Sequence, residues 1–249
     1  MSENERVPGG QVQSVARAFG VLNVLSAAET PLPLAEVAAR SGLPVPTAHR
    51  LLRTLLELGA ARQLDTRDYA LGPTLIGLGE RATPPLAESA RGALIRLEEV
   101  AQETANLAVL DGDLVAYVAQ VPSRHRMRMF TEVGRRVLPH ASGVGKAMFA
   151  TLPERRVRDI LERTGMPRYT ATTLTSVDAV IADLRETRHR GFAIDDGEQE
   201  VGVRCIAVAI PRAVPPAALS ISGPAARMTD AIVERAVEEL TQAAGTLEG

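Results

Sequence analysis

The chain has 249 residues, 45% of them hydrophobic, with 28 basic against 30 acidic side chains and a formal charge of −2. That length suits one or two domains with ordinary globular cores. A single cysteine, Cys205, excludes an internal disulfide and supplies too few thiolates for a structural zinc site. No apolar run reaches the roughly eighteen residues that a membrane span requires. The polar first ten residues lack a signal peptide's apolar segment, so the expected location is the cytoplasm.

Ser14 reads as an N-cap, followed by Ala16, Phe19, Val21, Leu22 and Leu25 at helical spacing. Pro31 and Pro33 end that helix, and a short second one is expected over 34–41, with Leu34, Val37 and Ala38 buried. Gly42 allows a sharp turn. Pro46 suits the first position of a third helix that runs to Leu58 and stops at Gly59. A helix, a Gly-containing turn and a second helix have the helix-turn-helix spacing. Short β segments at 61–64 and 69–71 flank the polar turn Asp65-Thr66-Arg67-Asp68 and read as a two-stranded wing. A short helix over 74–80 precedes Pro84-Pro85. Residues 11–74 are therefore read as a winged helix-turn-helix, 75–85 as a linker helix and border, and 86–249 as a second domain.

In that second domain a long amphipathic helix is expected over 86–104. Strands at 106–110 and 114–121 join across Asp111-Gly112-Asp113, a hairpin signature. Alternation of Arg126, Arg128 and Phe130 with Met127, Met129 and Thr131 suggests another strand. Helices are expected at 145–151, 154–163 and 177–189, the last capped by Ser176 and ended by Gly191. Strands at 192–195, 203–210 and 217–222 and a closing helix at 229–247 complete an α+β pattern with a largely antiparallel sheet.

On the third helix Leu51, Leu52, Leu55 and Leu58 form one apolar stripe. Thr47, His49, Arg50 and Arg53 project from the other side, where a recognition helix meets the major groove. Arginine reads guanine O6 and N7 bidentately, and threonine offers a hydroxyl and a methyl. Arg62 and Arg67 on the wing would reach phosphates. Net charge gives no help: residues 1–82 carry eight arginines and eight acidic residues, whereas DNA-binding domains usually show a positive excess. Lys146 is the sole lysine, which is read as the arginine bias of a GC-rich genome.

The ordered motifs resemble the isocitrate lyase regulator (IclR) family of bacterial transcription factors. In the first domain they are Gln13-Ser14-Val15-Ala16-Arg17-Ala18, Thr47-Ala48-His49-Arg50-Leu51-Leu52 and Tyr69-Ala70-Leu71-Gly72. In the second they are the run from Leu138 to Ala147, Gly191-Phe192-Ala193-Ile194-Asp195, Gly202-Val203-Arg204-Cys205-Ile206-Ala207 and Ser220-Ile221-Ser222-Gly223-Pro224. The resemblance covers nearly the whole chain and extends to the allantoin- or glyoxylate-responsive branch. Pro46 departs from it, standing where the family has a small polar residue. The resemblance implies a GAF-like effector domain, homodimers or homotetramers, and a double-stranded operator whose binding a small metabolite modulates, more often as repression. Carried over by motif, the effector pocket comprises Ser142, Gly143, Val144, Asp195, Cys205, Ser220, Ile221 and Ser222.

Chemistry supports these roles. Ser142-Gly143-Val144 opens a helix whose free N–H groups and dipole suit a carboxylate. Strand alternation aims Ser220 and Ser222 at one space, ionised Asp195 accepts hydrogen bonds, and Cys205 makes a small floor. Gly143-x-Gly145-Lys146 is no P-loop, which needs Gly at His140 and Ser or Thr at Ala147. His125, His140 and His189 have no ligand spacing, so neither metal nor cofactor is expected. A competing reading, a small-molecule enzyme with an N-terminal interaction module, lacks an acid–base pair or an activated nucleophile. Two carboxylates in one small pocket would repel, so the effector's far end should carry donors, as in an oxo-acid hydrate, a hydroxy-acid or a ureide. An aromatic content of 3% without tryptophan argues against a stacking pocket for flat rings.

Overall fold

The computed structural model describes residues 12–127 and 132–247. The chain divides into two compact units between Thr83 and Pro84.

In the first unit α1 (Gln13–Ser26), α2 (Leu34–Ser41) and α3 (Val45–Glu57) precede β1 (Ala61–Gln63), β2 (Tyr69–Leu71) and α4 (Thr74–Ala82). Ser14 is not the cap: the extended Val12 is, its carbonyl accepting from Val15 and Ala16 at 3.0 and 3.2 Å, with no side-chain cap. Phe19 was expected among the buried spacing but is 62% exposed, while Val21 and Leu25 are buried. Gly42 adopts φ +66°, which frees Leu43 N–H to donate to Ala38 O and ends α2 as expected. α3 starts one residue early, so Pro46 is its second residue, and Leu58 caps it with 64% exposure instead of closing the apolar stripe. The stripe is Ala48, Leu52 and Leu55, with Leu51 half-buried. The wing pairs Arg62 opposite Ala70, and Leu32 adds a bridge to Tyr69 that the pattern did not foretell.

The second unit is an antiparallel six-stranded sheet of order β5-β4-β3-β8-β7-β6. Its strands are β3 (Thr104–Asp111), β4 (Leu114–Val121), β5 (Arg136–Val137), β6 (Ala193–Asp196), β7 (Val203–Ala209) and β8 (Ala217–Pro224). One face, through Leu107, Ile206, Leu219 and Ile221, packs on α5 (Pro85–Ala101) and α9 (Asp230–Thr246). The other, through Ala108, Ala207 and Ala218, packs on α6 (Gly143–Ala150), α7 (Glu154–Thr164) and α8 (Val177–Arg190). Helices on both faces of an antiparallel sheet make the unit α+β. α5 stops three residues short of expectation because Gln102 turns left-handed at φ +56°. Glu103 then enters the fold beside Arg227, with Arg227 Nη2 2.9 Å from Glu103 Oε2. β5 and a 3₁₀ turn, Pro139–Ala141, were not foreseen. Arg128, Met129, Phe130 and Thr131 of the expected strand lie outside the described residues, and Arg126 and Met127 form a bend.

Candidate DNA-reading and effector sites

On α3 the buried Ala48, Leu52 and Leu55 turn His49, Arg50 and Arg53 outward, and Thr47 is half-buried beside them. Arg53 lies 3.7 Å from Glu57 one turn on, both widely exposed. Such a surface pair is worth little and leaves the guanidinium free for a stronger anion. Thr47 and Ala48 N–H groups are already bonded to Pro44 O, and Pro46 has no N–H. The helix N-terminus therefore offers phosphate fewer donors than an ordinary one, while the arginines beside it stay exposed. Arg62 is exposed on β1, and Arg67 sits at the wing tip at φ +68°.

The second site follows from register. Residues directly opposite across antiparallel strands share a face. On the α6 side the sheet shows three transverse rows. Asp195, Cys205, Ser222 and Thr104 form one; Ala193, Ala207, Ser220, Asn106 and Gln120 the next; Ala209, Ala218, Ala108 and Tyr117 the third. The rows grade from polar to apolar. Their small side chains let α6 come close, and a Cβ on Gly143 would lie 3.0 Å from Cys205 Sγ and 3.3 Å from Cys205 O. Ser142 Oγ caps the helix by accepting from Gly145 N–H at 3.3 Å. The N–H groups of Gly143 and Val144 have no acceptor within the helix, and Gly143 itself rests on Cys205, which lies between Asp195 and Ser222 in the polar row.

Six of the eight expected pocket residues thus converge: Ser142, Gly143, Asp195, Cys205, Ser220 and Ser222. The Val144 side chain does not join them, being fully buried in the core beneath α6. Ile221 is not brought to the pocket. It alternates to the opposite face and packs among α5 and α9 residues.

Residues 14–65 match the family described as "IclR helix-turn-helix domain", and residues 82–248 match "Bacterial transcriptional regulator IclR C-terminal". The chain belongs to the IclR family. It is 38% identical over 250 residues to the transcriptional repressor IclR of Escherichia coli (strain K12), an alignment covering 95% of this chain and 91% of that one. The acetate operon repressor of Salmonella typhimurium shows the same identity and coverage. Among solved structures, an IclR homolog from Microbacterium hydrocarbonoxydans complexed with 4-hydroxybenzoate has a TM-score of 0.73 at 27% identity, covering 94% of this chain and 97% of that one. The protein is a transcriptional regulator with a helix-turn-helix and an effector-binding domain, in a family of DNA-binding proteins and not of enzymes. No helix among the described residues is long and apolar enough to cross a membrane.

In this IclR-family regulator the polar basin is richer than its motifs announce. Asn106 Nδ2 lies 3.4 Å from Ser220 Oγ and 3.5 Å from Ser222 Oγ, and Gln120 Nε2 donates to Asn106 Oδ1 at 3.0 Å. Asn106 on β3 and Tyr117 and Gln120 on β4 were missed because they stand among apolar neighbours. The available signal was Asn106, a polar residue at an inward position of a strand that is otherwise continuously buried. Burial drives the Asp195 carboxyl up to about 7 against the bond it accepts from Glu198 N–H at 2.7 Å, and the Glu198 carboxylate raises it further. At neutral pH Asp195 therefore shares its time between acceptor and donor. Burial likewise pushes the Cys205 thiol up to about 12, which leaves it inert as a nucleophile. His140 is fully buried, its Nε2 3.1 Å from Pro167 O and its ring stacked on Tyr169. Burial lowers its pKa, so it stays neutral and structural.

Lys146 has a structural place of its own, whatever made the other basic residues arginine. It is 0% exposed, donates to Glu198 and lies 3.1 Å from Asp183 Oδ2. An ammonium taken fully out of water must be paired, so its side chain is fixed by structure.

Proposed function

We propose that this regulator is a repressor that binds a pseudo-palindromic operator as a homodimer or homotetramer in the cytoplasm. It releases DNA when a small polar carboxylate, an oxo-acid or a ureide, occupies the basin under α6. The observation that carries the reading is the capped N-terminus of α6 resting on Cys205 between Asp195 and Ser222. Two N–H groups at the positive end of a helix dipole suit a carboxylate. Asp195, Ser222 and Asn106 then supply donors and acceptors for the other end.

The names of the relatives point the same way. Two are repressors, one of an acetate operon, and a homolog of known structure binds a hydroxy-carboxylate. The para-hydroxy acid presents an anion at one end and a hydroxyl at the other. A hydrated oxo-acid offers that pair of ends in less length.

Oligomerisation draws support from the first unit. α4 buries none of its residues, and Ile76, Leu78 and Phe19 are 65%, 60% and 62% exposed. Apolar surface of this kind marks an association site, and one winged helix reads too few base pairs for useful affinity. The test is fluorescence anisotropy on the chain's own upstream DNA, titrated with glyoxylate, hydroxy-acids, ureides and 4-hydroxybenzoate. Relief by a small polar acid is expected. Turnover of a metabolite, or DNA binding by a single chain, would overturn the reading.

A further inference from the structure

Behind the basin lies a cluster that no part of the DNA or effector chemistry uses. Lys146 projects from α6 one turn beyond Ser142, is wholly buried, donates to Glu198 and lies 3.1 Å from Asp183 Oδ2 on α8. Glu198 belongs to the turn after β6, and its own N–H holds Asp195 Oδ1 at 2.7 Å. The same turn is clamped from outside by Thr170 Oγ1 on Gly197 O at 2.7 Å and Thr173 Oγ1 on Glu198 O at 2.6 Å. One residue, Glu198, thus touches both Asp195, through its backbone, and Lys146, through its carboxylate.

We propose that Lys146 is a positioning residue for the effector basin. Through Glu198 it fixes the 195–198 turn against α6, and so sets where the Asp195 carboxyl stands relative to the N–H groups that receive the ligand. Through Asp183 it fixes the same point to α8. The inference rests on the effector reading above, and it gives the lone lysine a task that arginine would do poorly. A compact ammonium on a flexible stem can lie against two carboxylates from within a packed helix, whereas a planar guanidinium needs more room.

Simple structural glue would leave the ligand concentration that relieves DNA binding unchanged wherever the protein stays folded. A positioning role would not. The charged and titratable groups facing this cluster are Asp195, Glu198, Asp183, Arg190 at 3.9 Å from Asp183, and on the sheet Cys205 and Tyr117. Removing the Glu198 carboxylate while keeping its N–H takes a negative charge away from Asp195 and leaves the lysine. Removing the lysine as well takes that attraction away.

The experiment follows the Asp195 carboxyl by ¹³C NMR between pH 5 and 9 in the full-length protein, in the parent, Glu198→Gln and Glu198→Gln/Lys146→Met. The double variant leaves no unpaired charge at the Glu198 position. The Asp195 midpoint should fall by roughly one pH unit in Glu198→Gln and rise by roughly one from there in the double variant. Relief of DNA binding by glyoxylate should need about tenfold more ligand in the double variant. Glu198→Gln/Lys146→Arg should not restore the parent response, because the guanidinium cannot be seated. A glyoxylate requirement equal in the parent and the double variant, with only melting temperature changed, would show glue and overturn the proposal. A parent whose Asp195 signal no metabolite perturbs, while its midpoint still answers to Glu198 and Lys146, would sink the effector reading instead.

Discussion

Asp195 is a carboxyl whose burial must tax folding, and the tax depends on pH. Its ordinary value is 3.8 and the fold raises it to about 7, at a residue only 4% exposed. Between those values the native state holds a proton that the unfolded chain has released. The native state binds more protons, so stability falls as pH rises through this window and levels off above about 7. At 1.36 kcal/mol for each pH unit, the full loss is about 4 kcal/mol, of which roughly 3 falls between pH 5 and 8. Asp195→Asn keeps an acceptor for Glu198 N–H and cannot ionise, so it should lack this slope. Urea unfolding of both proteins at pH 5, 6, 7 and 8 reads the difference, since the remaining titrating groups are common to the two. The variant should gain about 3 kcal/mol relative to the parent across that range. A gap that stays constant within about 0.5 kcal/mol would mean that Asp195 is ionised throughout, and the burial reasoning would fail.

Arg50→Ala should cost about 1–3 kcal/mol of discrimination between operator and non-cognate DNA; a uniform loss on all sequences, with a shallower salt dependence, would demote Arg50 to a phosphate contact. A Cβ at Gly145 would stand 2.5 Å from Pro139 Cα, backbone that cannot step aside, so Gly145→Ala should destabilise the second unit by about 1–3 kcal/mol in calorimetry. An unchanged melting temperature would show that the 3₁₀ turn yields. Leu52→Ala empties a fully buried site in the smaller core and should cost about 2–5 kcal/mol, abolishing DNA binding at growth temperature while the effector-domain melt stays put.

Legibility in the sequence followed how local the cause was. α2 was placed to the residue because its end depends on Gly42 alone, and α8 to within one residue, ending at Arg190 and not at His189, because Ser176 and Gly191 bracket it with a side-chain cap and a left-handed stop. Ser14 misled because a capping residue type does not reveal where the backbone becomes extended, and Val12 occupies that place without a capping side chain. The convergence of Ser220 with Ser222 follows from the period of a strand, and the same period, taken seriously, removes Ile221 from their company. Asn106 showed only as a polar residue in a buried strand, and its link to the serines, like that of Gln120 to Asn106, exists only through register across separate strands. Lys146 was invisible for a further reason: its partners Asp183 and Glu198 lie 37 and 52 positions away, and only folding brings them to it.

That lysine has a consequence for how the molecule can be handled and controlled. The other 27 basic side chains are arginine, so among side chains the surface presents guanidinium groups and no primary amine. Acetyl transfer, which weakens many DNA-binding proteins by neutralising an exposed lysine, finds no acceptor on the recognition helix or wing. A succinimidyl dye should tag the folded chain at its α-amine alone, giving a uniformly labelled protein for single-molecule work, and a second dye per chain should appear only as the effector domain unfolds.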